Sequence, residues 1–449
     1  MNPDKQLFTS LISVTSLVLS VFLCISTSGK TIDNCVDNSQ FSETYYALSD
    51  ENSTIEGIYS ENIHSVSFYP EGAPLVNPYL ALNSSQAFVF SFDDLDGGYE
   101  NYYYRVLHCT HDWEISDMNT SEFLRGFNDQ SISEIDQSFG TRQPYTHYSF
   151  SFPNDMAQPT ISGNYIIQVY LEGYSDSPSI IKRFVVYEEL TRFRPRIKES
   201  TIVSERRYRQ EVDFDLIKAE YPIFDAYDAL SVVVLQNNRW DNAIYDLQPV
   251  YIKGSEFVYD FDEENNFDGN NEFRWFDLKS LRYAALGTDS IRERKDGWHH
   301  FLTPTPRRTY DVYRTQQDIN GKFLIHNDDF DSALESQYIH VHFYLQTERL
   351  SALDEVFIFG ALTNWDYLPQ SKMTWNERSQ RYEGQLYLKQ GYYNYGFALK
   401  QRGKTEGDLK SFEGSHSQTQ NDYTVIAYYA DPRGYDRVIG ILFTDSFNN

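Results

Sequence analysis

His108, His111 and Asp112, in the run HCTHD, are the first residues along the chain whose type and closeness could hold a metal. Imidazole nitrogens and carboxylate oxygens are donors that zinc takes, but ligands three apart on a strand point to opposite faces. They chelate only where the strand bends or ends, and Trp113 beside them points to a packed strand end instead. His340 and His342 are two apart and share one face of a strand. Zinc would need a third ligand and orienting partners for the imidazoles. Nothing nearby in the sequence supplies these, so the pair reads as solvent-facing. Asp93 to Asp96, Asp260 to Asp268 (DFDEENNFD) and Asp328 to Asp331 offer the oxygen donors that suit calcium. None follows the EF-hand pattern, Phe261, Phe267 and Phe330 interrupt the carboxylates, and solvated loops explain them more simply. No metal and no cofactor is expected.

The chain contains no Gly-x-Ser-x-Gly, His-Glu-x-x-His, P-loop or Gly-x-Gly-x-x-Gly run. Paired carboxylates for glycoside cleavage meet only in space and leave no spacing to read. With no catalytic residues to assign, the chain reads as a binding protein rather than an enzyme.

The elements that would position any of these groups are strands. Aromatic residues make up 16% of the chain, with 36 Tyr and 31 Phe, and flat rings pack well on pleated, half-buried surfaces. Tyr338 to Leu345 alternates Ile339, Val341, Phe343 and Leu345 inward against His340, His342 and Tyr344 outward. Val356 to Phe359 is apolar on both faces, and Gly360 to Trp365 (GALTNW) then turns the chain. Tyr382 to Leu388 and Tyr392 to Leu399 read as two further strands, joined by Lys389-Gln390-Gly391 as a short hairpin loop. This last module is similar to the early-set immunoglobulin-like modules beside glycogen-active enzymes, whose signature also runs strand, Gly-x-x-x-x-Trp, then Gly-x-Tyr-x-Tyr-x-Phe. In some of those modules the tryptophan stacks on a sugar. The resemblance therefore implies carbohydrate binding as an alternative role, set against Trp365 packing in its own core.

The predicted architecture is all-β, with tandem immunoglobulin/fibronectin-like β-sandwiches over residues 36–190, 197–313 and 323–449. In the first, Ala87 to Phe92, Tyr102 to Cys109, Gly163 to Leu171 and Ile180 to Tyr187 are strands, while Trp113 to Tyr148 reads as a long loop. Arg192, Arg194 and Arg196 around Pro195 read as a connector, and Glu272 to Leu278 closes the second domain, with Trp275 and Phe276 on opposite faces. Residues 1–28 have the uncharged apolar stretch and small-residue end of a signal peptide, with an uncleaved anchor as the alternative. Cys24 lacks the small residue before it that lipidation wants. Past the signal, Cys35 and Cys109 leave a disulfide or two separate thiols open. A net charge of -27 opposes binding to nucleic acid or directly to anionic lipid.

A second resemblance covers most of the chain. YYYRVLHCTHDW (102–113), GNYIIQVYLEG (163–173), NEFRWFDLKSLRY (271–283), FIFGALTNW (357–365), LYLKQGYYNYGFAL (386–399) and the run 413–443 resemble, in order, a Bacteroidetes family. These are the plug proteins of the type IX secretion system, once a domain of unknown function. The resemblance implies a non-catalytic periplasmic protein, peripheral to the outer membrane. Its partner would be a very large outer-membrane β-barrel translocon, whose periplasmic mouth it closes, so that membrane association runs through that partner.

Interface cores favour Tyr, Trp and Arg. The candidates for a partner surface are Arg292, Arg294, Trp298, His299 and His300 after the second domain's last strand, and Trp365, Tyr367 and Trp375 near the third-domain turn.

Overall fold

The computed structural model describes residues 53–219 and 221–447. The expected signal peptide, Cys24 and Cys35, with any pairing of Cys35 to Cys109, lie outside the described residues. Cys109 itself is buried, and burial pushes its thiol up to about 12.

The first sandwich starts with β1 (Ile63–Pro70), β2 (Phe88–Asp94) and β3 (Tyr102–Cys109), followed by β4 (Thr146–Phe152), β5 (Gly163–Leu171) and β6 (Ile180–Tyr187). One sheet runs β1–β2–β4 and the other β6–β5–β3, each with short edge strands. Period-two alternation sends Phe88, Phe90 and Phe92 into the core, where Phe90 stacks on Phe150 (4.9 Å) and Phe92 on Tyr148 (5.1 Å) as cross-strand pairs. The stretch expected as one long loop carries a short helix at Thr120–Phe123 and strands at Leu124–Gly126, Gln130–Ser131 and Glu134–Gln137. Ile132 and Leu124 anchor it to the core.

The second sandwich begins with β7 (Thr191–Glu199), β8 (Arg209–Lys218), β9 (Leu230–Gln236) and β10 (Glu256–Tyr259). The expected connector is β7, an edge strand paired along its length to β8, where a proline lacking N–H is tolerated at Pro195. Two of its arginines are held by an acid, Arg194 and Arg196 both reaching Asp215 Oδ2, at 3.0 and 2.9 Å.

The third sandwich contains β11 (Arg274–Asp277), β12 (Thr288–Arg294), β13 (Gly297–Leu302), β14 (Tyr338–Gln346), β15 (Asp354–Phe359), β16 (Lys372–Asn376), β17 (Arg381–Lys389) and β18 (Gly391–Gln401). They form one wrapped sheet in the order β11–β18–β15–β16–β17–β14–β13–β12. β17 and β18 are not a hairpin. β17 pairs with β14 and β16, β18 with β11 and β15, and Lys389-Gln390 crosses between two layers. The crossing is fixed because Lys389 and Gln390 are buried and bonded elsewhere, Gln390 accepting from Gln337 N–H at 2.8 Å.

The sheets also cross the sequence boundaries of the expected domains. β11, read as closing the second domain, pairs with β18 of the third. The last strands, β19 (Asp422–Asp431) and β20 (Tyr435–Asp445), leave the third domain and join β9 in the second. The reason is two-sided burial. Tyr423, Val425, Ala427 and Tyr429 face the second core, while Ile426 and Tyr428 face the first sandwich. The described residues form one compact unit.

Candidate interface and the seams that position it

The loop expected after the second domain is the β12–β13 hairpin. β12 is the edge of its sheet, and Arg292 and Arg294 are exposed on it. Their guanidinium groups lie 5.4 and 5.1 Å from the Phe301 ring. Trp298 is partly buried against the third core. His299 and His300 are buried. The His300 Nε2 is 2.8 Å from Thr288 Oγ1, and burial pulls its pKa down to about 4, so it is neutral.

β13 runs parallel to β14, which sets His299 opposite His340 and Phe301 opposite His342. The outward histidines of β14 are therefore half covered rather than solvent-facing. His342 stacks on Phe301 at 4.3 Å, and burial, with His299 beside it, pulls its pKa down to about 4.

Trp365 and Tyr367 pack inward. Trp365 meets Phe273 (5.8 Å) and Phe359 (5.6 Å) edge to face, and Arg239 stands 5.0 Å from its ring. Gly321, at φ 78°, gives the indole room, because a side chain there would collide with the ring. Tyr367 stacks on Phe359 at 5.0 Å, and its hydroxyl accepts the Gly407 N–H at 3.0 Å. Trp375 leans on Tyr382 at 5.2 Å. The structure thus brings the hairpin residues together in one place and commits the other aromatics to intramolecular packing. Of the sequence-selected residues, the two arginines are the ones left exposed.

Three seams hold the sandwiches around that surface. Between the first and second, Cys109, Trp113, Ile166, Ile181 and Val185 pack against Val233, Leu235, Ile426, Tyr428 and Val438. Trp113 is indeed a packed strand end, edge to face with Trp240 at 4.7 Å. His111 is an ion-pairing residue here, with Nδ1 3.0 Å from Asp436 Oδ2 and Nε2 3.1 Å from Asp246 Oδ1. The hydrogen bond to Asp436 raises its pKa to about 9 despite partial burial. His108 points elsewhere, to Ser116 Oγ at 2.9 Å, so the two histidines do not converge.

The first and third sandwiches meet at Asp93, which is fully buried rather than part of a solvated turn. It accepts from Lys389 Nζ (2.7 Å) and the Tyr338 hydroxyl (2.7 Å), with His147 Nδ1 at 2.7 Å. The Tyr145 ring lies 4.1 Å from Lys389 Nζ. Burial alone would raise the Asp93 pKa, but Lys389 and then His147 outweigh it and hold the carboxyl below its usual range. Between the second and third, the Arg239 guanidinium lies 5.2 Å from the Phe359 ring as well as against Trp365, and inside the third buried Glu413 takes Arg274 (2.9 Å) and Arg308 (2.7 Å). Burial opposes its charge, and the two arginines still bring it down to about 2.

A cleft of about 600 Å³ opens where the sandwiches meet, with Asp93, Lys182, Asn238, Lys322, Trp365 and Lys389 among its lining. The acidic run at Asp260 holds no open oxygen cage. Lys198 Nζ already sits 3.0 Å from Glu211 and 2.7 Å from Asp213, with Asp260 at 3.8 Å. Sequence reasoning put Asp93 in a solvated acidic turn and Lys389 in a hairpin loop, and gave Arg274 and Glu413 no role. The readable signal was a charge set directly against an apolar strand, as at FVFSFDD and LYLK.

Residues 63–188, the span of the first sandwich, match the family model described as type 9 secretion system plug protein 1st domain. Among solved structures the chain is similar to a hypothetical protein from Parabacteroides merdae ATCC 43184, crystallised at 2.30 Å, with a TM-score of 0.83 and 31% identity. The match covers 87% of this chain and 99% of that one. No curated protein matches the chain.

Proposed function

Because the chain belongs to the type 9 secretion system plug protein family, and so has a role in type 9 secretion, we propose that it is a non-catalytic periplasmic plug. It docks on the outer-membrane translocon and occludes it by bulk. Among the described residues no helix is long and apolar enough to cross a membrane, and in this reading the partner supplies the membrane attachment.

The observation that carries the reading is mutual contact. A linear string of sandwiches bends at each linker, because interfaces between domains are ordinarily small and polar. Here each sandwich is joined to both others. Trp113 and Trp240 cross one seam, Lys389 and Asp93 the second, Arg239 and Phe359 the third. Short hydrogen bonds reinforce them, such as Lys322 Nζ to Leu75 O at 2.7 Å and Asn364 Nδ2 to Glu56 O at 3.2 Å. A body closed in this way obstructs a wide opening without flexing into it, and obstruction needs no chemistry.

The test is an affinity pull-down from gently solubilised outer membranes, washed at low and then high salt, with membrane leakage measured in a deletion strain. A very large β-barrel is expected to co-purify, and the deletion strain should leak while still secreting. With a net charge of -27, loss of the barrel at high salt would mark an electrostatic dock, since exposed pairs are screened beyond about 8 Å at physiological ionic strength. Absence of any barrel at either salt, in cells that express one, would end the plug reading.

A further inference from the structure

The turn joining β12 to β13 contains Asp296, and the parallel register of β13 with β14 sets His299 beside His340. Donor atoms of Asp296, His299 and His340 all lie within 4.8 Å of one another. One tautomer of each imidazole turns a lone pair toward the same point. His299 Nδ1 is 2.9 Å from His342 Nε2. With Nδ1–H donating to His342, the lone pair of His299 is on Nε2, 3.1 Å from Asp296 Oδ1. His299 is only 3% exposed, and its Nε2 is buried without a hydrogen-bond partner. In that tautomer two electron-rich atoms face each other, and a cation between them removes the repulsion.

His340 completes the set. Its Nδ1 is 3.0 Å from the Gln385 amide, and its Nε2 lies over Gly297 beside the Asp296 backbone. The two ends of a glutamine amide exchange by rotation. With the oxygen inward, Gln385 accepts the Nδ1–H and leaves Nε2 as the coordinating nitrogen.

We propose that Asp296, His299 and His340 form a zinc-binding site between this hairpin and β14, with His342 and Gln385 holding the two imidazoles in the coordinating tautomer. Two imidazoles and one carboxylate with a fourth position open to water is a donor set that zinc accepts, whereas calcium and magnesium prefer oxygen alone. Bonds of about 2.0–2.2 Å set ligand atoms about 3.4 Å apart. Asp296 and His299 already meet that spacing, and Asp296, at 65% side-chain exposure, is free to swing toward His340. The other acidic cluster, Glu211, Asp213 and Asp260, makes the contrast. It has a cation of its own in Lys198, and it lacks nitrogen donors.

An acidic chain collects loose cations, so the test must read stoichiometry and position. The chelator-stripped protein is titrated with Zn²⁺ by calorimetry at about 0.15 M salt, with Ca²⁺ as competitor. One zinc per chain is expected, undisturbed by calcium, and His340→Gln and Asp296→Asn should each weaken it by about tenfold or more. Neither side chain is buried, so both variants should keep the wild-type circular dichroism. His299→Ala is avoided because that residue is core. Co²⁺ gives an independent readout, a visible d–d absorption that the same variants should abolish. Absence of stoichiometric zinc heat, or equal affinity in the Asp296→Asn/His340→Gln double variant, would overturn the site and leave only adventitious binding.

Discussion

The seam between the first and second sandwiches and the seam between the first and third are built from opposite materials. The first is a sheet-on-sheet layer in which Ile166, Ile181 and Val185 meet Val233, Ile426 and Val438, all essentially without solvent exposure. The second turns on a buried charge pair, Asp93 with Lys389, ringed by Tyr338, Tyr145 and His147. Apolar burial is non-directional and carries no titrating group, so it holds two bodies together without specifying their register. A buried ion pair adds little net stability, but breaking it by removing one partner is costly. One seam supplies adhesion, and the other penalises any misplacement of the third sandwich.

The largest expected effect follows from that difference. Lys389→Met leaves Asp93 buried without its lysine, with only His147 and the Tyr338 hydroxyl as partners, and should lower stability by about 3–5 kcal/mol. The double variant Asp93→Asn/Lys389→Met should recover part of the loss, so that the two substitutions are strongly non-additive. Ile426→Val in the apolar seam should cost only about 0.5–1.5 kcal/mol, with no coupling to either. Urea unfolding of the wild type, Asp93→Asn, Lys389→Met, their double variant and Ile426→Val, alone and combined with each single variant, measures all of this. Additive losses at Asp93 and Lys389 would show that the charge pair does not act as a unit.

These seams were the least legible feature of the sequence. Strands announced themselves wherever one face was wet, as in β14, where Ile339, Val341, Phe343 and Leu345 alternate with polar neighbours. The turn at Gly360 to Trp365 was equally plain, and positive φ at Asn364 (55°) and Trp365 (58°) closes it. Partner choice was not plain. β19 is apolar on both faces, and a continuous apolar run says that both sides are covered without saying by what. Lys389 and Asp93 stand 296 positions apart, and no local pattern links such a pair. The same holds for His299 and His340, since a parallel register has no hairpin to fix it.

A smaller effect separates the seams by pH. His111, tied to Asp436 and Asp246, has a folded pKa raised to about 9, above the unfolded value of about 6.5. Its contribution is therefore fully present below about pH 6.5 and is lost as pH rises through about 9. Asp93 has a folded pKa below its unfolded value, so its contribution is present above about pH 3.9 and is lost only as pH falls through the folded value. Between pH 6.5 and 9 the wild type should lose stability that His111→Gln does not, by about 1 kcal/mol or less for so accessible a pair. Parallel curves for the two proteins across that range would remove His111 from the account.

The smallest effect on stability tests the interface most cleanly. Arg292 and Arg294 point from an edge strand, and their visible intramolecular work is to cover the Phe301 ring at 5.4 and 5.1 Å. Exposed cation–π contacts contribute about 0.5–1 kcal/mol each, so Arg292→Ser/Arg294→Ser should shift the unfolding midpoint only slightly. Trp365, Tyr367 and Trp375 are unsuitable for the same purpose. They are packed against Phe359, Phe273 and Tyr382, so removing them would weaken docking through the fold as well as through any contact. If the hairpin meets the translocon, the arginine double variant should fold normally yet release the barrel at a lower salt concentration than the wild type. Equal retention across the salt series would move the docking surface away from this hairpin while leaving the plug reading intact.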